Sequence, residues 1–356
     1  MRRTAPLIVG GGPAGAAAAI SLARAGARPL LIERSRAGGP IVCGAFLGWD
    51  TLASLDRLGL DPWSLGAHPI ERVRIVTPGR TIERRLPRRA AGLSRQALDA
   101  ALLDLASKAG AGIERGIAAR SLDGDGLHLA DGALLAPESL FIGTGKHALR
   151  GTPRIGVAPG ARIGLRTAFP AAPRLQGVIE LHLLDGGYAG LLVQEDGQAN
   201  LCLSIAGARL AEADGSPDRL IALLAQEAPL LAERIDGQAG DWSAIAAVPY
   251  GWRARDTLPG RFRLGDQAAV IASLAGDGIA IALASGRAAA AAWSSGGAGA
   301  APAYQRAFAR RVARPIGIAE RLRHAAERPR SAATAMRLMG LPGAIGLAAR
   351  LTRVGH

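Results

Sequence analysis

Glycines 10, 12 and 15 stand between an apolar run, Leu7–Val9, and an alanine-rich one, Ala14–Ala25. The order strand, G-x-G-x-x-G, helix is suited to gripping a pyrophosphate. Gly10 allows the sharp turn out of the strand, Gly12 lets the backbone approach the phosphates, and Gly15 lets helix and strand pack closely. Pro13 and Ala14 open the helix, whose unpaired N–H groups and positive dipole end face the anion. A second strand, Pro29–Ile32, ends in Glu33 with Arg34 beside it. A carboxylate at this distance from the glycines accepts hydrogen bonds from an adenosine ribose. Strand, glycines, helix, second strand and acid fall in order, so the stretch is read as a dinucleotide site.

A second constellation lies far along the chain. Gly265-Asp266 follows the strand Arg261–Leu264, and Gly276-Asp277-Gly278-Ile279 opens a long helical segment. N–H groups at such a helix start stabilise negative charge on a bound group. Together these residues resemble the second FAD signature of the para-hydroxybenzoate hydroxylase-like flavoproteins. The resemblance implies FAD as cofactor, with Asp266 on its ribityl chain and Gly276, Gly278 and Ile279 at the flavin pyrimidine ring.

Within that superfamily the chain is most similar to the geranylgeranyl-reductase branch. The matching residues are Cys43-Gly44, Leu93-Ser94-Arg95 heading the helix Gln96–Lys108, Gly143-Thr144-Gly145 after the strand Leu140–Ile142, and Ala284-Ser285-Gly286. The resemblance runs from residue 7 to about residue 290. It implies that Arg95 contacts the cofactor and that the chain around Cys43 passes close to the isoalloxazine. There the Cys43 thiol would protonate a substrate carbon or tune the flavin; the alternative is a small buried hydrophobe. No second G-x-G-x-x-G occurs, so any NAD(P)H donor binds transiently. The chain also departs from its relatives. Ala272-Ser273 replaces the reductases' Asp-Pro, and Thr144-Gly145-Lys146-His147 replaces the hydroxylases' Asp-Gly signature. The reductases' aromatic strip is reduced to Tyr188 within GYAGLLV, and the halogenases' paired tryptophans are missing.

The elements that must position these residues follow from periodicity and turn signals. The expected fold is α/β: a Rossmann-like FAD-binding domain of the glutathione reductase type, an inserted antiparallel-sheet substrate domain, and a C-terminal helical tail. The FAD-binding domain would be discontinuous, over 1–70, 91–155 and 255–300. The substrate domain would take 71–90 and 156–254, and the basic helical segment 301–356. Glu71–Ile75 and Thr81–Leu86 read as a hairpin split by Pro78-Gly79. Val178–Leu184, Gly190–Val193 and Leu201–Ile205 read as strands, and Pro217–Ala228 as a helix. Beyond Ala303 two or three helices are expected, broken at Pro315, Pro329 and Pro342.

The chain has 356 residues and a net charge of +14, carried almost wholly by arginine. From Tyr304 onward 11 arginines face only Glu320 and Glu327. With 4% aromatics and no known module, nucleic acid is not the expected partner. The tail could meet anionic lipid or an acidic partner, or be a solvated helical face. Two cysteines fit a reducing cytoplasm. The start, with Arg2-Arg3, is broken by Gly10-Gly11-Gly12-Pro13 as no signal helix would be, and no run of about 18 uncharged apolar residues occurs.

Among single residues, Tyr188 is read either as a substrate-side catalytic group or as core packing. Arg253 is a candidate anion contact. Lys146 and His147 follow the third cofactor strand on a loop that either passes near the nucleotide or is plain surface, and Glu180 and His182 share one side of a strand that is expected to be solvated. No His, Cys, Asp and Glu set has metal-ligand spacing. Flavin then does the chemistry. The fold-level match and the missing aromatic strip point to a monooxygenase hydroxylating an apolar aromatic or polyketide-like molecule with NAD(P)H and O₂. Cys43-Gly44 and Ala284-Ser285-Gly286 point instead to C=C reduction in an isoprenoid or lipid. A flavin electron carrier is the third reading.

Overall fold

Leu7–Val9 is the central strand of a five-stranded parallel sheet in a computed structural model that describes residues 5–39, 41–157, 162–235 and 240–354. The Arg2-Arg3 pair lies outside the described residues. The sheet order is Arg261–Arg263, Leu140–Ile142, Leu7–Val9, Leu30–Glu33, Gly112–Arg115, every pair parallel. Such a sheet must be covered on both faces. Side chains alternate along each strand, so Ile8, Leu31, Phe141 and Phe262 pack into a core with helices Pro13–Arg24, Arg95–Lys108 and Gly278–Gly296. Leu7, Val9, Ile32, Leu140 and Ile142 pack against a three-stranded meander over residues 119–135.

Helices Pro13–Arg24 and Gly278–Gly296 meet through alanine and glycine. A Cβ added at Gly286 would lie 2.3 Å from the Ala14 carbonyl oxygen, so only glycine fits this crossing. Beside it, Ser285 Oγ accepts the Gly265 N–H at 2.8 Å. The Ala284-Ser285-Gly286 triplet thus holds the two cofactor signatures together.

The second layer is an eight-stranded sheet, in the order Ser243–Ile245, Arg162–Pro170, Gln198–Ala206, Gly187–Val193, Val178–Leu184, His68–Thr77, Arg80–Gly92, Phe46–Leu47. It is antiparallel except where Val178–Leu184 runs parallel to His68–Thr77. A long crossover makes that pairing possible, whereas hairpin neighbours must be antiparallel. The hairpin turning at Pro78-Gly79 is longer than its alternating apolar residues imply. Arginines 84, 85, 88 and 89 extend it on an edge that faces outward. Helices Pro217–Glu227 and Pro229–Ile235 cover one face of this sheet around Leu191, Leu201 and Leu203.

That cover overturns the solvated placement of Glu180 and His182, which are fully buried. Alternation fixes which side two residues share, but not whether a helix lies on it. Glu180 receives hydrogen bonds from His182 Nε2 at 2.8 Å and Arg74 Nη1 at 2.5 Å, with Arg234 Nε at 3.3 Å. Burial alone would raise the Glu180 carboxyl; these partners overcome it and hold the group down to about 2.

The tail forms four helices, Ala301–Arg311, Ala313–Ala326, Pro329–Met339 and Ala344–Thr352. Pro315 does not break it, because it falls in the first turn of a helix, where its missing N–H has no intrahelical partner to lose. Several tail arginines are structural. Buried Arg323 pairs with Glu327 at 2.7 Å and Glu320 at 2.7 Å, and Arg162 of the second sheet joins Glu327. Among the described residues no single helix is long and apolar enough to cross a membrane.

Candidate active site

The turn after Leu7–Val9 is built so that only its outer side is open. Gly10 has φ +102°, and a Cβ there would lie 2.4 Å from the Gly143 carbonyl oxygen. A Cβ at Gly15 would lie 1.9 Å from the Gly10 carbonyl oxygen. Gly12 differs: its backbone is extended, and an added Cβ would meet only Arg95 Nη2, at 3.2 Å. Gly10 and Gly15 thus serve chain-to-chain packing, while Gly12 leaves space for a ligand. Gly11 and Ser35 donate backbone N–H bonds to the two Glu33 oxygens at 2.6 and 2.8 Å. They fix the carboxylate and leave lone pairs for ribose hydroxyls. Arg95 is held beside Gly12 by a two-pronged bond to Asp99 at 2.8 and 2.6 Å. Burial raises the Asp99 carboxyl, and the Arg95 charge opposes the rise.

At the other signature, Asp266 faces Lys146 Nζ at 3.4 Å, and its charge raises the lysine against the effect of burial. The loop carrying Gly143, Thr144 and Gly145 is pinned by side chains. Gln267 donates to the Gly145 and His147 carbonyls at 2.7 and 2.8 Å, and Arg154 to those of Gly145 and Lys146 at 2.8 and 3.0 Å. Burial, then the charges of Arg34, Lys146 and Arg154, lowers the His147 imidazole, which favours its neutral form. Gly276 adopts φ +71° against Phe46, and Gly278 begins the helix with open space where a Cβ would go. Asp277, fully buried at the helix N-cap, is paired with Arg353, the residue that caps the C-terminus of the last tail helix. Burial lifts the Asp277 carboxyl to about 7, with Arg353 opposing. The Arg353 guanidinium also lies 4.3 Å from the Trp49 ring centroid.

These groups converge on one cavity of about 1110 Å³. Lining it are Gly10, Gly12, Pro13, Ala14, Glu33 and Arg34 at one end, and Arg95, Gly143, Thr144 and Gly145 along its floor. Gly265, Asp266, Gly276, Gly278 and Ile279 follow, with Cys43, Gly44 and Tyr188 beyond them. Gly15 lies beneath the turn rather than in the cavity. Arg253 is not brought to the site: its Nη1 donates to the Ala309 carbonyl at 3.0 Å, tying the tail to the nucleotide domain.

Beyond Cys43 the cavity becomes aliphatic, with Val73, Ile75, Leu181, Met336 and Met339 in its wall. A chain of hydroxyls lies against it. Tyr188 Oη lies 2.5 Å from Ser273 Oγ and accepts the Leu274 N–H at 3.0 Å. Ser273 Oγ lies 2.8 Å from Tyr250 Oη, which is 3.2 Å from Ser204 Oγ. Burial raises the Tyr188 phenol well above its usual range, so it remains protonated. Cys43 is half-buried at this end and Cys202 lines the same cavity, its thiol pushed up to about 12 by burial. Sequence reasoning missed Ser273, Arg353 and the tail methionines as site residues, and it missed the partner of Asp277. Ser273 had a signal, as it occupies a position where relatives differ. The tail residues had none.

The site fits an extended FAD: an open pyrophosphate turn at Gly12, a fixed carboxylate at Glu33, and an acid at Asp266 spaced along a single long cavity. Comparison with known proteins agrees. Residues 3–130 match the FAD binding domain family. A menaquinone reductase from Mycobacterium tuberculosis is 28% identical over 311 residues, covering 77% of this chain and 72% of that protein. A geranylgeranyl bacteriochlorophyll reductase-like protein from Thermoplasma acidophilum superposes with a TM-score of 0.80 at 19% identity, covering 97% of this chain and 95% of the other. PqsL, a probable FAD-dependent monooxygenase from Pseudomonas aeruginosa, gives a TM-score of 0.75 at 17% identity, covering 94% and 100%. The fold and site therefore define an FAD-dependent oxidoreductase. More narrowly, the match over residues 3–130 and the shared fold support the resemblance to the para-hydroxybenzoate hydroxylase-type flavoproteins.

Proposed function

We propose that this flavoprotein is a cytoplasmic monooxygenase that hydroxylates the aromatic head of an apolar, polyketide-like molecule, using NAD(P)H as a transient donor and O₂ as co-substrate. The observation that carries this is the hydroxyl chain Tyr188–Ser273–Tyr250–Ser204, set against the aliphatic part of the cavity and close to the start of the helix Gly278–Gly296. When bound, FAD would supply two-electron redox chemistry between a nicotinamide donor and O₂. Tyr188, kept protonated by burial, donates a hydrogen bond to the substrate's phenolic or carbonyl oxygen. Tyr250 Oη and Ser204 Oγ extend the path along which a phenolic proton leaves. Met336, Met339 and Ile75 receive the apolar remainder and exclude water, which strengthens each polar contact inside. Arg95, Glu33 and Asp266 hold the cofactor.

A second reading, reduction of C=C bonds in an isoprenoid or quinone lipid, is favoured by one observation: half-buried Cys43 opens on the same cavity, where its thiol can protonate a substrate carbon. The two readings separate in one experiment. Purified holoenzyme is supplied with NADH or NADPH and a panel of phenolic lipids and polyprenyl quinones, with and without O₂. A product gaining one oxygen atom, formed only in air, supports the monooxygenase. A product gaining two hydrogen atoms under nitrogen overturns it in favour of the reductase, and slow donor oxidation that no added molecule alters overturns both.

A further inference from the structure

The last two helices have two unlike faces. Met336, Met339, Ile345 and Ala348 look inward and line the cavity. Leu338, Leu341 and Leu347 look outward, and each leaves more than half of its surface exposed (54%, 57% and 59%). Three large aliphatic side chains clustered on one short hairpin are more than the scattered exposed leucines of an ordinary surface. Exposed Arg330, Arg337 and Arg350 lie on the same two helices. The neighbouring strand adds Arg84, whose Nη2 donates to the Gly340 carbonyl at 2.7 Å, and exposed Arg88. No acidic residue occurs from 328 to 356 or from 84 to 92. The helices Pro329–Met339 and Ala344–Thr352 have 11 and 9 residues and meet at a bend of 111°. A span needs about 20 residues in one helix. This pair is therefore too short and too bent to cross a bilayer, but is shaped to lie in its interface.

We propose that this hairpin docks the enzyme on an anionic phospholipid surface. Leu338, Leu341 and Leu347 enter the headgroup–acyl boundary, and the arginines of the two helices and the neighbouring strand face the lipid phosphates. Charge complementarity selects this occupant. Leucines alone would suit a second copy of the chain, but two such faces would bring their arginines together. The inward face of the same helices is cavity wall, so docking places the bilayer one helix thickness from the aliphatic end of the site. The docking surface itself does not depend on which reaction the flavin performs.

The test is co-sedimentation of the FAD-loaded full chain with vesicles of pure phosphatidylcholine and of equimolar phosphatidylcholine and phosphatidylglycerol. Binding is expected on the anionic vesicles and is expected to weaken with added salt. The triple variant L338S/L341S/L347S, which alters only exposed side chains, should keep its flavin absorbance and melting temperature. It should bind about 30-fold or more weakly, as loss of three partly buried leucines predicts. R337Q/R350Q should lose about tenfold or more, preferentially on anionic vesicles. Failure of the parent chain to sediment with anionic vesicles overturns the proposal. Unchanged binding by the leucine variant also overturns it, because purely electrostatic attachment would serve nucleic acid or an acidic protein equally. A dimer in sedimentation velocity that the leucine variant dissociates, with no vesicle binding by either protein, overturns it in favour of a subunit interface.

Discussion

Replacing Gly12 by alanine and, separately, Gly15 by alanine should produce opposite failures, although the two residues are three apart in one motif. At Gly12 the backbone is already extended, and the new methyl meets only the Arg95 guanidinium at 3.2 Å, a side-chain contact that need give by only a few tenths of an ångström. Relief of unfolded-chain entropy and the small loss at a helix N-cap nearly cancel. The apoprotein should melt within about 2 °C of the parent. The methyl does, however, fill the space through which the turn approaches a pyrophosphate. Overpacking of about 1–3 kcal/mol then weakens FAD about 5–150-fold. At Gly15 the methyl would lie 1.9 Å from the Gly10 carbonyl oxygen, a backbone atom that cannot yield without moving the central strand. The cost exceeds about 3 kcal/mol and should lower the melting temperature on the order of 10 °C, with or without flavin. Differential scanning fluorimetry of the apoproteins and fluorescence titration with FAD measure both quantities. If Gly12→Ala bound FAD as the parent does, or destabilised the apoprotein as much as Gly15→Ala, the division of labour among these glycines would be wrong.

Three further outcomes follow from the site and its charges. Tyr188→Phe should retain FAD and lower kcat/KM about 100-fold. Because Tyr188 stays protonated well above its usual range, the parent's pH–rate profile should show no loss from this group up to about pH 10. Asp277 has a folded pKa of about 7, above its usual 3.8, so the folded state holds this proton more tightly. Its contribution to stability is present below about pH 4 and is lost as pH rises to about 7; Asp277→Asn should flatten that stretch of a melting-temperature profile. Glu180 is the reverse case: held at about 2, it stabilises above its usual 4.5 and loses that contribution as pH falls from there to about 2. Glu180→Gln leaves Arg74 and Arg234 partly unpaired and should destabilise the chain by about 3–5 kcal/mol in urea titrations at neutral pH.

What was legible in the sequence was what is local. Gly10, Gly12, Gly15 and Glu33 act within one strand–helix–strand unit, and the spacing that fits a pyrophosphate is the spacing that folds the turn. Asp266 and Gly276–Gly278 are local to a second unit in the same way. Residues whose role depends on a distant partner were hidden. Nothing near Asp277 announces Arg353, 76 positions away, and nothing in the pattern of Glu180 and His182 tells that helices Pro217–Glu227 and Pro229–Ile235 would enclose them. The tail was legible as helix and as basic. Its role as cavity wall was not, because one amphipathic face looks the same whether it meets a core, a lipid or a substrate.

The order in which the chain is made bears on the cofactor turn. Its glycines lie within the first fifteen residues, yet the turn is braced by the Gly143 carbonyl and by the close crossing of Ala14 with Gly286. A nascent chain emerging from the ribosome carries the loop early and lacks its buttresses until most of the sequence has followed. Flavin capture must therefore wait until those buttresses have been made, so the appearance of bound colour would report that the turn and its distant supports have come together.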